Sequence, residues 1–287
     1  MPMPQTRAKA KAPSKGARVE PFEGVRRGKN EDMELFVVGC HGGETPRHRT
    51  CAFVIDKHIA IDAGSLTSGL ELDDQYRLTS CIVSHAHLDH IRDLATIADN
   101  RAQKNCPPLE VIGTKFTLGV LRTHFFNNKL WPDFTRIPSL KNPTLRFREI
   151  EPEKPIMVSG VRITAVKVHH TIETVALIFE RNGKTIAYSG DTGPTTRLWE
   201  VLNDLDDLSA LLMEVSFPNE EAKLAKASGH HTPATLEVEL RKLSASKSKN
   251  VLLYHIKPAF QKEVEQQCLR IKGHDLTITR LGDRYLI

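Results

Sequence analysis

The segment 79–94, TSCIVSHAHLDHIRDL, places His85, His87, Asp89 and His90 within six residues, directly after a short apolar run. Imidazole and carboxylate are the donors that divalent zinc, manganese or iron accept. In an extended chain, side chains two apart leave on the same side, so His85 and His87 project together. A turn into a helix at 89–90 swings a carboxylate and another imidazole toward a neighbouring point. Such a cluster can serve two cations about 3.5–4 Å apart. A surface loop that happens to hold histidines is the bland alternative, and four donors at this spacing argue against it.

One segment cannot complete two such sites, but the rest of the chain repeats a pattern. An apolar run at 161–168 is followed by His169 and His170, one at 185–189 by Gly190 and Asp191, one at 210–213 by Glu214, and one at 251–254 by His255. If these runs are strands with their ends on one rim, the donors meet. Further β-branched runs lie at 35–38, 52–55, 59–61, 81–83, 109–113, 175–180 and 276–279. Helical periodicity shows at 90–98, 114–124, 195–202, 220–227, 233–243 and 260–270. Asn182-Gly183 reads as a hairpin turn, and Thr232 before Pro233 as a helix N-cap. Strand-rich stretches alternating with amphipathic helices predict sheets covered by helices.

Composition sets outer bounds. The 287 residues contain no apolar run of 18, which argues against a membrane-spanning helix, and no apolar stretch follows the basic N-terminus as a secretory signal would. Five cysteines without a CxxC pair argue against a disulfide scaffold or a cysteine-ligated zinc site and fit a reducing cytoplasm. The net charge of +5 is uneven: residues 1–30 hold eight basic and two acidic residues. Residues 1–18 lack the apolar content to offset ordering entropy and read as disordered. The expected organisation is therefore a basic tail over 1–30 and one hydrolase domain over 31–287.

His85-Ala86-His87-Leu88-Asp89-His90 resembles the HxHxDH signature of the metallo-β-lactamase superfamily and, more narrowly, class II 3′,5′-cyclic-nucleotide phosphodiesterases. Asp62-Ala63-Gly64, Trp131-Pro132-Asp133-Phe134, Glu214-Val215-Ser216-Phe217-Pro218-Asn219, Gly229-His230-His231-Thr232-Pro233 and His255-Ile256-Lys257-Pro258 are similar to that narrower family as well. Asp93 is a departure, standing where the family usually has a small residue. The resemblance implies an α+β fold, a four-layer αββα sandwich with metals at one sheet edge. By match, His85, His87 and His170 would bind one divalent ion, and Asp89, His90 and His255 the other, with Asp191 bridging. His169 competes with His170, which is favoured because it precedes Thr171 as the family ligand often precedes Ser or Thr. The implied ions are two, zinc first, manganese or iron as alternatives.

The activity implied is hydrolysis of cyclic AMP or cyclic GMP to the 5′-monophosphate by a metal-bridged hydroxide. Two divalent cations offset by two aspartates and a hydroxide leave roughly one positive charge to meet a phosphodiester anion. Asp89 is the ligand expected to be indispensable for turnover. His230 is the candidate proton donor to the leaving 3′-oxygen, with Glu214 orienting it or a ligand imidazole. Phe125, Phe126, Trp131, Phe134 and Phe217 are the aromatic candidates for stacking a purine, against a competing role in the core. The expected partner is a small cyclic nucleotide. Nucleic acid would be met only through the tail and a membrane not at all, and the oligomeric state stays open, with a homodimer compatible. The competing readings are an RNA phosphodiesterase resembling transfer-RNA 3′-processing enzymes, and a non-catalytic metal-binding module of the same fold.

Overall fold

The computed structural model describes residues 32–244, 247 and 250–287. The tail expected over 1–30 lies outside the described residues. The chain first builds β1 (Glu34–Gly39), β2 (Ala52–Ile55), β3 (Ile59–Ile61), β4 (Ser80–Ile82), β5 (Leu109–Gly113) and β6 (Leu145–Glu149). It then builds β7 (Ile156–Val158), β8 (Val161–Val168), β9 (Thr174–Arg181), β10 (Lys184–Tyr188), β11 (Ala210–Glu214), β12 (Val251–Tyr254), β13 (Leu276–Ile278) and β14 (Arg284–Leu286). The first sheet has the order β14-β1-β2-β3-β4-β5-β6 and the second β13-β12-β11-β10-β9-β8-β7.

Strand alternation explains the layers. Along β1, Leu35 and Val37 face the core between the sheets, whereas Phe36 and Val38 face helices outside. Along β12, Leu252 and Tyr254 face inward, and Val251 and Leu253 face helices on the other side. Strands apolar on both faces suit the covered, mostly parallel centre of each sheet. Helices Leu94–Gln103 and Lys115–Val120 cover the first sheet through Leu94, Ile97 and Leu118. Helices Arg197–Asp204, Pro233–Leu240 and Gln261–Cys268 cover the second through Trp199, Leu202, Leu236, Leu240 and Val264. The result is the four-layer αββα sandwich that the sequence predicts. Among the described residues no helix is long and apolar enough to cross a membrane.

Strand direction sets where the donors go. β3, β4, β5 and β6 are mutually parallel, as are β10, β11, β12 and β13. β8 is antiparallel to β9, which is antiparallel to β10, so β8 and β10 run the same way. The C-terminal ends of β8, β10, β11 and β12 therefore share one edge of their sheet, as those of β3 and β4 do in the other.

Several local signals match the chain. Asn182 and Gly183 turn β9 into β10 with φ of 51° and 77°, and the Thr232 side chain accepts from Thr235 N to cap helix Pro233–Leu240. The helix expected over 90–98 is instead broken into Leu88–Ile91 and Leu94–Gln103. The reason is Asp93. Its buried carboxylate accepts from Thr67 N at 2.7 Å, Thr67 Oγ1 at 2.6 Å and Arg92 Nε at 3.1 Å. That set of bonds anchors the break to helix Leu66–Gly69, which periodicity does not predict.

Candidate metal centre

Asp62 directly follows β3 and is wholly buried and left-handed, with φ of 56°. An Asp pays less than most residues for that conformation, and its side chain shows why it is held there. Its carboxylate accepts from Ser84 N at 2.7 Å, Ser84 Oγ at 2.8 Å, His90 Nδ1 at 2.7 Å and Tyr188 Oη at 2.7 Å. His90 thus spends Nδ1–H on Asp62 and turns Nε2 into the site. Because Ser84 Oγ donates to Asp62, it accepts from His85 Nδ1 at 3.0 Å, which leaves His85 Nε2 bare.

The second sheet repeats the device. Ser216 Oγ donates to Glu214 Oε2 at 3.1 Å and accepts from His255 Nδ1 at 2.8 Å, so His255 Nε2 is bare. His170 Nδ1 donates to Gly229 O at 2.9 Å, so its Nε2 is bare as well. Gly229 is required twice. It ends helix Ala222–Ser228 with φ of 69°, and a Cβ there would stand 3.0 Å from His170 Nδ1. Gly42 is equally constrained, since a Cβ would lie 2.5 Å from His255 O.

These nitrogens converge on two points. His87 Nδ1 is 3.1 Å from both His85 Nε2 and His170 Nε2. Asp191 Oδ2 is 3.8 Å from His85 Nε2, 3.3 Å from His90 Nε2 and 3.1 Å from His255 Nε2. Asp89 Oδ2 is 3.5 Å from His255 Nε2 and 3.9 Å from His90 Nε2. One group holds His85, His87, His170 and Asp191, and the other Asp89, His90, Asp191 and His255, each with its donor atoms within 4.8 Å of one another. Asp191 is common to both.

The donor chemistry fits cations. His90 Nε2, His255 Nε2 and Asp191 Oδ1 are buried without a hydrogen bond. Buried polar atoms left without a partner are unfavourable alone and are what a divalent ion needs. Burial lowers the pKa of His85, His87, His170 and His255, which keeps them neutral as ligands must be. At His90 burial opposes the charge, but Asp191 and Asp62 outweigh it and push the pKa up.

The structure brings together all seven residues of the expected ligand set. His169 is exposed and outside both groups. Glu214 is wholly buried and lies 3.0 Å from His230 Nδ1, and burial lifts its carboxyl to about 7. The His230 ring stacks on His255, centroids 5.0 Å apart, and sits 5.0 Å from the His170 ring. His231 instead bonds Thr235 at the helix start. Of the aromatic candidates, Phe125, Phe126 and Phe134 belong to the outer core. Trp131 donates its indole N–H to Ala95 O, and Phe217 lies against His230 at 5.9 Å. Asp62, Ser84, Tyr188 and Ser216 are site residues to which the sequence reading gave no role. Asp62 carried the signal, since it follows the apolar run of β3 just as the other donors follow theirs.

The family model of the beta-lactamase superfamily domain matches residues 64–256, a span that includes every one of those seven residues. The chain belongs to the beta-lactamase superfamily. Within this superfamily it is similar to a probable 3′,5′-cyclic-nucleotide phosphodiesterase of Yersinia pestis, 30% identical over 70% of this chain and 64% of that protein. It is also similar to a 3′,5′-cyclic-nucleotide phosphodiesterase of Aliivibrio fischeri, 24% identical over 88% of this chain and 90% of the relative. The crystal structure of unliganded yeast PDE1 superposes with a TM-score of 0.75 at 20% identity, over 88% of this chain and 99% of that one. The chain thus spans just under two thirds of the first relative's length. The divalent ions that the superfamily's fold implies have a matching donor set here.

Proposed function

We propose that this protein is a metal-dependent phosphodiesterase that hydrolyses 3′,5′-cyclic nucleotides, cyclic AMP or cyclic GMP, to 5′-monophosphates. The observation that carries the reading is Asp191, one carboxylate within 3.8 Å of donors from both groups. The likeness to two curated cyclic-nucleotide phosphodiesterases supports the substrate class.

His85, His87, His170 and Asp191 would hold one ion, and Asp89, His90, His255 and Asp191 the other. A donor set of imidazoles and carboxylates suits zinc, with manganese or iron as alternatives. When bound, two such cations supply Lewis acidity toward the phosphoryl oxygens and acidify water. The chain's own work is positioning and proton transfer. Asp62, Ser84 and Ser216 fix which nitrogen of each ring faces the site. His230 keeps Nδ1–H on Glu214 and delivers a proton from Nε2 to the ribose 3′-oxygen as its bond to phosphorus breaks. The Glu214 carboxylate stabilises the imidazolium form that must precede that transfer. Five free cysteines are in keeping with a reducing compartment, which we take to be the cytoplasm.

The test is incubation of the zinc-loaded chain with cyclic AMP and cyclic GMP, with the product separated from the 3′-monophosphate. Release of 5′-monophosphate supports the reading. Inertness toward both, or cleavage of precursor RNA alone, overturns it. Two tightly held ions with no turnover on any phosphodiester would mark a binding module instead.

A further inference from the structure

Lys257 follows His255 closely in the chain and brings a positive charge to the side of the site where His230 sits. The chain leaves β12 through His255, whose backbone is left-handed with φ of 69°. The turn that follows is pinned on both sides. His255 N donates to Cys40 O at 2.7 Å and Gly42 N to Ile256 O at 3.1 Å, while Lys257 N donates to Ser216 O at 3.2 Å. Ser216 N and Phe217 N in turn donate to His231 O at 3.0 and 3.3 Å. The segments 216–217, 230–231 and 255–257 are therefore tied side by side through their backbones. Their side chains continue the series. Lys257 Nζ lies 6.0 Å from the centre of the Phe217 ring, that ring lies 5.9 Å from His230, and His230 stacks on His255.

Among the described residues no carboxylate and no hydrogen-bond acceptor engages Lys257 Nζ, and its hold on the Phe217 face is weak at that distance. Arg92, which follows the ligand-bearing helix Leu88–Ile91, is by contrast engaged by both Glu44 and Asp93. The field of Lys257 reaches the site: burial lowers the pKa of His230 and His255, and the Lys257 charge adds to that effect against Asp191. A half-buried ammonium on a flexible stem, with its donors unclaimed, is suited to take an anion. The reaction calls for one more positive charge. A cyclic phosphodiester carries one negative charge, whereas its monoester product carries nearly two around pH 7. Two divalent ions offset by Asp89, Asp191 and a hydroxide leave roughly one positive charge. Lys257 supplies the second.

We propose that Lys257 binds the phosphoryl anion on the leaving-group side of the site, beside His230, and holds it both as the cyclic phosphodiester and as the 5′-monophosphate. The inference rests on the reading of the site as a cyclic-nucleotide phosphodiesterase and adds a residue to it. The oxygen of water, one proton already lost to solvent, bonds to phosphorus as the bond to the ribose 3′-oxygen breaks. That oxygen takes the proton of His230. The remaining water proton leaves as the monoester ionises, so the added negative charge stays on the phosphoryl group. Lys257 keeps its own proton throughout.

The experiment compares the zinc-loaded full chain as wild type, Lys257→Gln and Lys257→Arg. Calorimetry measures the binding of inorganic phosphate, and steady-state assays measure cyclic AMP hydrolysis, each at low and high salt. Lys257→Gln should weaken phosphate about tenfold and raise KM for cyclic AMP by a similar factor, with zinc content unchanged. Lys257→Arg should recover most of both. The gap between wild type and Lys257→Gln should narrow as salt rises, because a half-buried charge is screened. Equal phosphate affinity in wild type and Lys257→Gln, a loss that Lys257→Arg shares in full, a gap indifferent to salt, or zinc lost from Lys257→Gln overturns the proposal. Phosphate binding needs no turnover, which separates the two ideas. A chain inert toward cyclic AMP that still binds phosphate through Lys257 loses the substrate reading and keeps the anion site. Turnover with the same KM in wild type and Lys257→Gln removes only the role of Lys257.

Discussion

Asp62 Oδ2 lies 2.7 Å from His90 Nδ1, and both side chains are wholly buried. This pair decides which His90 nitrogen faces the site. Asp62→Ala should therefore weaken the second cation about 10–100-fold and leave the first nearly unchanged. Competition with a chromogenic chelator resolves the two constants. Equal weakening of both ions would mean that Asp62 supports the rim as a whole and not one ring.

His230 and Asp89 should separate chemistry from binding. His230→Ala is expected to lower kcat about 10²–10⁴-fold with metal content unchanged, because the ring transfers a proton and holds no ion. Asp89→Ala should abolish turnover while the chain stays folded by circular dichroism, and elemental analysis should show the second ion lost. Metal loss in His230→Ala would place that ring among the ligands.

Chelation should loosen the fold reversibly. The donor atoms of each group are buried or half-buried and lie within 4.8 Å of one another. An ion present at a thousand times its dissociation constant stabilises the native state by about 4 kcal/mol. Calorimetry should show a Tm that drops with a chelator, climbs with added zinc and depends on free zinc concentration. A Tm indifferent to both would mean the groups hold no ion at all.

His41 supplies a pH signature away from the ligands. Burial pushes its imidazole down from 6.5 to about 4. The unfolded chain takes up that proton first, so this contribution to stability is intact above pH 6.5 and is lost as the pH falls toward 4. The loss amounts to at most about 3 kcal/mol. Urea unfolding of the metal-free chain at several pH values should show His41→Gln flattening the profile in that window. A parallel profile would contradict the assignment.

Much of this site was legible in the chain because each donor follows an apolar strand, and strand ends in parallel sheets gather on an edge. His85, His87, Asp89, His90, Asp191 and His255 were found by that rule; it left His169 and His170 open, and the family resemblance favoured His170. Asp62 obeyed it too but has no imidazole neighbour in sequence to draw attention. Ser84, Ser216 and Tyr188 act through hydrogen bonds that no spacing announces. β6 was missed because its Arg146 and Arg148 break the apolar run, and only Leu145 and Phe147 alternate toward the core. β14 was missed because three residues paired to a strand some 250 positions earlier carry no local signal.

Each donor group draws on both sheets. His85 and His87 follow β4, whereas His170 and Asp191 follow β8 and β10; Asp89 and His90 come from the first half, and His255 from the second. Neither half owns a complete binding point. A cation at either point would rivet the amino-terminal half to the carboxy-terminal half, and fragments made by cutting between β6 and β7 should reassociate more tightly when zinc is supplied.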